Sequence, residues 1–401
     1  MNQPLESNSG GGPGASPQPG PGASPQPSQS RRIRVALLFG GRSGEHSVSC
    51  VTAGSLLQAI DRDRFEPVPV GIGLDGLWTL QPDDPTPLRA QDGRLPQVEA
   101  AGPEVLPPDR AGSRQWRIIN NTGQVETLEP IDVTFPLFHG PYGEDGTIQG
   151  LLDLTDQPYV GSGVLASAIG MDKRYMKCVL EAAGLPVGPY EALDPGQWQR
   201  QPEAVAARAA RLGYPLFVKP CRAGSSLGIS RVDQPSGLAA AIELAQRHDR
   251  RVLIEAMIQG REIECAVLES PDGGPPRVAP PSEIVVGSGY QFYDFESKYL
   301  DASGADLRCP ADLPPGVTER LQDLAGRTFQ AIGGEGLSRV DFFYDELAAP
   351  GRQVIVNEIN TMPGFTPISQ YPRMWQVAGL DYTALVSQLI DLALARPTGL
   401  R

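Results

Sequence analysis

Two short stretches near the end of the chain constrain its fold most: GLSRVDFFYD at 336–345 and RQVIVNEINTMPGF at 352–365. Each contains a strand-like apolar run, and in each the polar side chains stand two residues apart. On a strand such residues share a face, so Arg339 groups with Asp341, and Glu358 with Asn360. An antiparallel hairpin of 337–344 with 353–360 sets Asp341 opposite Glu358 and Arg339 opposite Asn360 in one register. Facing carboxylates repel unless a cation lies between them, and oxygen-only donors suit a hard ion such as Mg²⁺. A surface hairpin carrying a charge ladder fits the same spacing.

The rest of the chain divides around this feature. Residues 1–30 are a low-complexity leader in which GPGASPQP occurs twice, at 12–19 and 20–27. With almost no apolar mass it is expected to be disordered or weakly held. Order begins at IRVALLFGG, a buried strand at 33–39 turned by Gly40-Gly41 into a helix at about 47–60. A strand at 66–72 follows, then a Pro-, Asp- and Gly-rich segment at 81–115 that reads as loop, then a strand at 131–138 ending in HGPYGEDG. This alternation predicts a mostly parallel sheet. Helices at about 165–184 and 236–248 flank YPLFVKPCRAGSSLGIS (214–230), two strands joined by a Gly/Ser loop. From 251 onward come strands at 252–258, 262–268, 281–286, 337–344 and 353–360, with a polar loop at 287–305 and a helix at 316–332. The expected class is α/β and α+β, with domains at 31–150, 151–245 and 246–401.

A chain of 401 residues is long for one domain, and 40% apolar content is enough for sizeable cores. A net charge of −13 argues against a nucleic-acid partner, whose phosphates such a surface repels. No apolar run is long enough to span a bilayer, so no membrane partner is expected, and the N-terminus does not read as a secretory signal. The five scattered cysteines include no C-x-x-C, which suggests neither a disulfide framework nor a zinc site, and a cytoplasmic setting is the expectation. Only four of the 34 basic residues are lysine: Lys173, Lys177, Lys219 and Lys298. Where arginine supplies nearly all positive charge, a remaining lysine points to a place that needs a compact ammonium.

In VKPCRAGSSLG (218–228) a strand delivers Lys219 ahead of a loop holding Gly224, Ser225, Ser226 and Gly228. Its backbone N–H groups can close over phosphates, although an ordinary hairpin turn has the same composition. HGPYGEDG (139–146) and GGRSGEHS (40–47) both end predicted parallel strands, where α/β sheets usually bind ligands. They hold His139 and His46, and a lone loop histidine is more often structural than catalytic. Glu262 and Glu264 share a strand face, with Glu255 on the preceding strand. Such carboxylates can accept from adenine or ribose, or simply face water.

The ordered series GGRSGEHSVS, HGPYGEDGTIQG, GSGVLASAIGMDK, FVKPCRAGSSLG, EAMIQGREIECAVL, YDFESKYL, GLSRVDFF and VNEINTMPGFTPIS resembles the D-alanine–D-alanine ligase family of the ATP-grasp superfamily, from about residue 33 to the C-terminus. The resemblance implies an ATP-grasp fold preceded by an N-terminal Rossmann-like domain, with 287–305 as a lid loop. It implies ATP and two Mg²⁺ ions (or Mn²⁺), and two molecules of D-alanine joined through an acyl phosphate. Asp341, Glu358 and Asn360 then correspond to metal ligands. Lys173, Lys219 and Lys298 correspond to phosphate-binding lysines, with Glu255 at adenine and Glu262 at the ribose; Lys177 is left facing solvent. Arg339 and the Gly364 N–H would meet the oxyanion. Glu45 would hold the first ammonium, with His139 near that D-alanine's carboxylate and Ser369 at the second carboxylate. Glu45, Ser225 and Tyr299 resemble a hydrogen-bonded trio tying the domains together. The expected assembly is a homodimer. D-alanine–D-lactate, D-alanine–D-serine or other ATP-grasp carboxylate–amine ligation are the alternative activities.

Overall fold

The computed structural model describes residues 31–90, 94–224, 227–286 and 305–399. Three sheets organise the body from Ile33 onward. The first has seven strands, with Ile33–Gly40 between Phe65–Ile72 and Val133–Pro136 in parallel register. Side chains of the central strand alternate between two cores: Val35, Leu37 and Phe39 enter one, Ala36 and Leu38 the other. A parallel strand covered on both faces must be apolar at every position, which is why IRVALLF reads as a continuous run.

The expectation of a mostly parallel sheet holds only for these three strands. The other four, Trp78–Leu80, Glu104–Leu106, Arg117–Ile119 and Val125–Thr127, add antiparallel to the edge. Glu104–Leu106 lies within the segment read as loop. A three-residue strand is too short to show a period, and pairing rather than sequence pattern defines it.

The second sheet is antiparallel, ordered Ser230–Val232, Leu216–Pro220, Val252–Ala256, Tyr190–Leu193. It takes a strand beyond the boundary expected at 245. Val252 and Ile254 are apolar on the face that meets Leu216, Val218 and Ile242 in one core, so burial draws this strand into the second sheet rather than the third. The third sheet is also antiparallel and is built on Arg261–Leu268, Leu337–Tyr344 and Val354–Asn360.

One helix expected at 165–184 is two, Val164–Met171 and Lys173–Ala182. Asp172 breaks it with an extended backbone, and its carboxylate accepts from the Arg174 and Tyr175 N–H groups as an N-cap. The break places Lys173 at the first residue of the second helix. At the other end of the chain, helices Gln370–Val377 and Tyr382–Ala395 bring Tyr371, Trp375 and Leu389 into the core that holds Val35, Leu37 and Phe135. Among the described residues no single helix is long and apolar enough to cross a membrane.

Candidate active site

The predicted hairpin is present in the predicted register: Asp341 pairs with Glu358 and Arg339 with Asn360, before a shift between Asp341 and Phe342. Val340, Phe342 and Tyr344 point into the core beneath, leaving Arg339, Asp341 and Phe343 on the opposite face. That face lines a cavity of about 240 Å³. The second sheet contributes Lys219, the helix break Lys173, and the loops after the first and last parallel strands Glu45 and His139. Glu262, Glu358, Asn360 and Gly364 complete the described sequence-predicted residues that meet there.

Arg339 is the hub of the floor. Its guanidinium grips Asp341 with two bonds, 2.6 Å from Nε to Oδ1 and 2.7 Å from Nη2 to Oδ2, and lies 3.0 Å from Glu264 Oε1. Burial alone would pull its pKa down, but the Asp341 and Glu264 charges outweigh this and hold it well above the usual arginine value. Asn360 Nδ2 donates to Asp341 Oδ2 at 3.1 Å. Across the cavity, Lys173 Nζ stands 3.7 Å from Glu358 Oε2 and donates to Ala223 O at 2.9 Å. The Lys173 N–H donates to Cys221 O at 3.0 Å, so both ends of this lysine tie the helix break to the turn after Lys219.

The roof is made of loops that converge on Glu45. A Cβ placed on Gly140 would stand 2.5 Å from Glu45 Oε2, and one on Gly224 2.6 Å from the same atom. Glycine at both positions therefore makes room for that carboxylate. Beside it, Met362 is clamped through both backbone groups. Its N–H donates to Glu144 Oε2 at 3.1 Å, and its carbonyl faces His139 Nδ1 at 3.1 Å. A carbonyl cannot donate, so His139 carries its proton on Nδ1, and Nε2 accepts from Thr52 Oγ1 at 3.2 Å. Burial depresses the His139 pKa against the raising pull of Glu45, keeping the ring neutral. Both of its nitrogens are engaged by the protein, so His139 holds the MPGF loop in place. His46 is structural in the same way: Nδ1 bonds Gly41 O at 2.6 Å and Nε2 accepts from Val98 N at 3.0 Å.

Three placements differ from the sequence reading. Lys177 does not face solvent: it is 2% exposed, with Nζ 2.7 Å from Glu255 Oε1. Glu255 is absent from the cavity lining, because Lys177 engages one of its oxygens and Lys219 the other. Ser369 also lies outside the lining; its Oγ is 2.8 Å from Thr366 Oγ1 and accepts from the Thr366 N–H at the start of helix Gln370–Val377. Ser225, Lys298 and Tyr299 lie outside the described residues. Of the buried carboxyls in the lining, Glu144 was not singled out in the sequence, and Glu264 only as a strand carboxylate able to accept from adenine or ribose or to face water. Glu264 faces Asp341 in register, so the same-face argument carried one strand further would have joined it to the hairpin carboxylates. Nothing in GEDG separates buried Glu144 from Asp145, whose carboxylate caps the Tyr142 and Thr147 N–H groups.

Among the described residues of the hairpin face, Asp341, Glu358 and Asn360 offer a metal oxygen donors alone. The lining holds the carboxyls of Glu45, Glu144, Glu262, Glu264, Asp341 and Glu358 against the cations Lys173, Lys219 and Arg339. Such an excess of carboxylate repels a polyphosphate, and a hard divalent cation is the species that reconciles the two. The oxygen chemistry of this face suits a hard cation such as Mg²⁺, while here both Asp341 oxygens are bonded by Arg339 and Asn360, and among the described residues no three His, Cys, Asp or Glu side chains are grouped as a metal site.

Sequence models of two families match the chain: "D-ala D-ala ligase N-terminus" over residues 34–162 and "D-ala D-ala ligase C-terminus" over 179–391. The chain belongs to the D-alanine–D-alanine ligase family. A D-alanine–D-alanine ligase of Arthrobacter sp. is 54% identical over 92% of this chain and 96% of its own length. One from Kineococcus radiotolerans is 52% identical over 93% and 100%. Among solved structures, the D-alanine-D-alanine ligase from Coxiella burnetii superposes with a TM-score of 0.72 at 32% identity, covering 91% of this chain and 94% of that one. A D-Ala:D-Ser ligase from Enterococcus faecalis gives 0.75 at 32% identity, covering 90% and 100%. The ligase family has the ATP-grasp architecture expected from the motifs, here as three sheets around one cavity.

Proposed function

We propose that this chain joins two molecules of D-alanine at the expense of ATP, releasing ADP and phosphate, to supply the dipeptide for peptidoglycan synthesis in the cytoplasm. The observation that carries this reading is the convergence of Lys173, Lys219 and Arg339 with Asp341, Glu358 and Asn360 on one cavity beneath Glu45. A carboxylate is a poor electrophile. An oxygen of the first D-alanine attacks the γ-phosphorus, the bond to the β–γ bridging oxygen breaks, and an acyl phosphate results. The amine of the second D-alanine then attacks the acyl carbon, loses a proton, and phosphate leaves.

The protein's task is charge neutralisation and alignment rather than covalent catalysis. Lys173 and Lys219 face the phosphates, and Glu45 holds the first ammonium. Arg339 and the Gly364 N–H stabilise the tetrahedral oxyanion, and His139 and Glu144 fix the MPGF loop that carries Gly364. Bound Mg²⁺ on Asp341, Glu358 and Asn360 would neutralise the triphosphate charge. The fold alone does not select the acceptor, since a D-Ala:D-Ser ligase superposes as well as a D-Ala–D-Ala ligase. The choice rests on Tyr299, which matches the tyrosine of dipeptide-forming relatives. Phosphate release measured over a panel of D- and L-amino acids and D-lactate tests the proposal. D-alanine with ATP should be turned over best; release of AMP and pyrophosphate, or equal turnover of L-alanine, would refute it.

A further inference from the structure

Lys177 lies outside every step above, yet it is nearly inaccessible to solvent. It sits one helical turn beyond Lys173, and its ammonium reaches across to the second sheet. There it lies 2.7 Å from Glu255 Oε1 and 5.6 Å from the Tyr190 ring centroid. Glu255 pairs with Tyr190 on one neighbouring strand and Phe217 on the other, while Lys219 pairs with Leu253. Lys219 is thus the diagonal neighbour of Glu255 on the same face, and its ammonium takes the other carboxylate oxygen. The three groups form a buried row of ammonium, carboxylate and ammonium. Only Lys219, at one end, lines the cavity.

We infer that Lys177 is a positioning residue for nucleotide binding: by satisfying Glu255 from behind, it leaves Lys219 with an ammonium whose charge is available at the cavity. The argument is electrostatic. One carboxylate against one ammonium makes a neutral pair, and burial strengthens their mutual hold. A second ammonium takes up the Glu255 charge from behind, so the Lys219 ammonium at the cavity end is not neutralised, and its charge is what an incoming phosphate meets. Without Lys177, Glu255 attracts Lys219 alone, and the cavity end of the row becomes neutral. The carboxylate remains necessary, because two bare ammoniums in a buried site would repel each other.

This inference rests on the proposal that the cavity binds ATP, and the test separates the two. ADP binding is measured by calorimetry in the absence of amino acid, beside steady-state kinetics for ATP and D-alanine. Lys177→Met should weaken ADP binding and raise KM for ATP by fivefold or more, with KM for D-alanine unchanged; Lys177→Arg, which keeps the charge, should recover most of the loss. A folded Lys177→Met protein that binds ADP like wild type overturns the inference and leaves the ligase reading intact. Wild type that binds no ADP overturns the ligase reading itself. Should Lys177→Met fail to fold with Glu255 half-satisfied, Glu255→Gln is compared with the Glu255→Gln/Lys177→Met double variant. Equal ADP affinity of the two supports action through Glu255, and a further loss in the double variant shows that Lys177 acts by its own charge and overturns the inference.

Discussion

Glu144 makes the stability of this protein depend on pH in a direction opposite to that of a salt-bridged carboxylate. Burial first, and the neighbouring Glu45 second, push its carboxyl from 4.5 up to about 8, against the lowering pull of the Gly140 and Met362 N–H groups and of Arg339. The unfolded chain releases this proton near the ordinary value, while the folded chain keeps it. Stability from this group is therefore fully present below about pH 4.5 and is lost as pH rises toward about 8. Each pH unit inside that window costs roughly 1.4 kcal/mol. Between about pH 5 and 7.5 the loss is on the order of 3 kcal/mol. Glu144→Gln removes the titration but keeps the shape. It also turns an amide nitrogen toward one of the two backbone donors, at 2.8 Å for Gly140 or 3.1 Å for Met362, and so strands that donor. That fixed cost is about 1–3 kcal/mol at every pH. The variant should thus be less stable than wild type at about pH 5, with the gap closing by about pH 7.5. Urea unfolding of both proteins at matched ionic strength across this range is the assay. A gap that stays constant or widens as pH rises would refute the reasoning.

Glu358→Gln should lower turnover by about 100-fold or more, since losing one charged group facing the transferred phosphoryl resembles losing an oxyanion donor, about 3 kcal/mol; the melting temperature should stay close to wild type, and near-native turnover with an unchanged Mg²⁺ optimum would leave only a charge ladder. Gly224→Ala places a methyl 2.6 Å from Glu45 Oε2 and should raise KM for D-alanine with little change in thermal stability, which kinetics beside a melting curve would read. Tyr299→Phe should shift the ratio of amine to hydroxyl acceptor toward D-lactate by roughly five- to a hundredfold, the worth of one hydrogen bond or a stranded partner; an unchanged ratio across about pH 6 to 8, the range in which a bound α-amine titrates, would reduce Tyr299 to a packing role.

What the sequence disclosed followed periodicity. The hairpin was legible because strand alternation fixes both the face and the register of Arg339, Asp341, Glu358 and Asn360. The first strand was legible because a doubly covered strand is apolar throughout. Lys177 was not, because helical spacing tells which face a residue occupies but not what approaches that face. Its partner lies on a strand far along the chain. The sheet boundary after Ala256 was hidden for a similar reason: an apolar strand suits the second sheet and the third equally, and only the neighbours that bury it decide. Glu144 was hidden because a loop residue's burial depends on the loop that closes over it, here the segment around Met362.

The helices Gln370–Val377 and Tyr382–Ala395 insert Tyr371, Trp375 and Leu389 beside Leu37 and Phe135. As the chain leaves the ribosome, the first parallel strands appear early and the side chains that complete the cover of one of their faces appear almost last. Until then that face is covered only in part, by Cys50, Ala53, Leu56 and Leu57 of helix His46–Ala59, through the whole time needed to make the second and third sheets. Birth order and folding order are thus at odds in this molecule. A stop codon ahead of Gln370 would spare every cavity residue assigned above, yet should yield a product that clings to chaperones or precipitates.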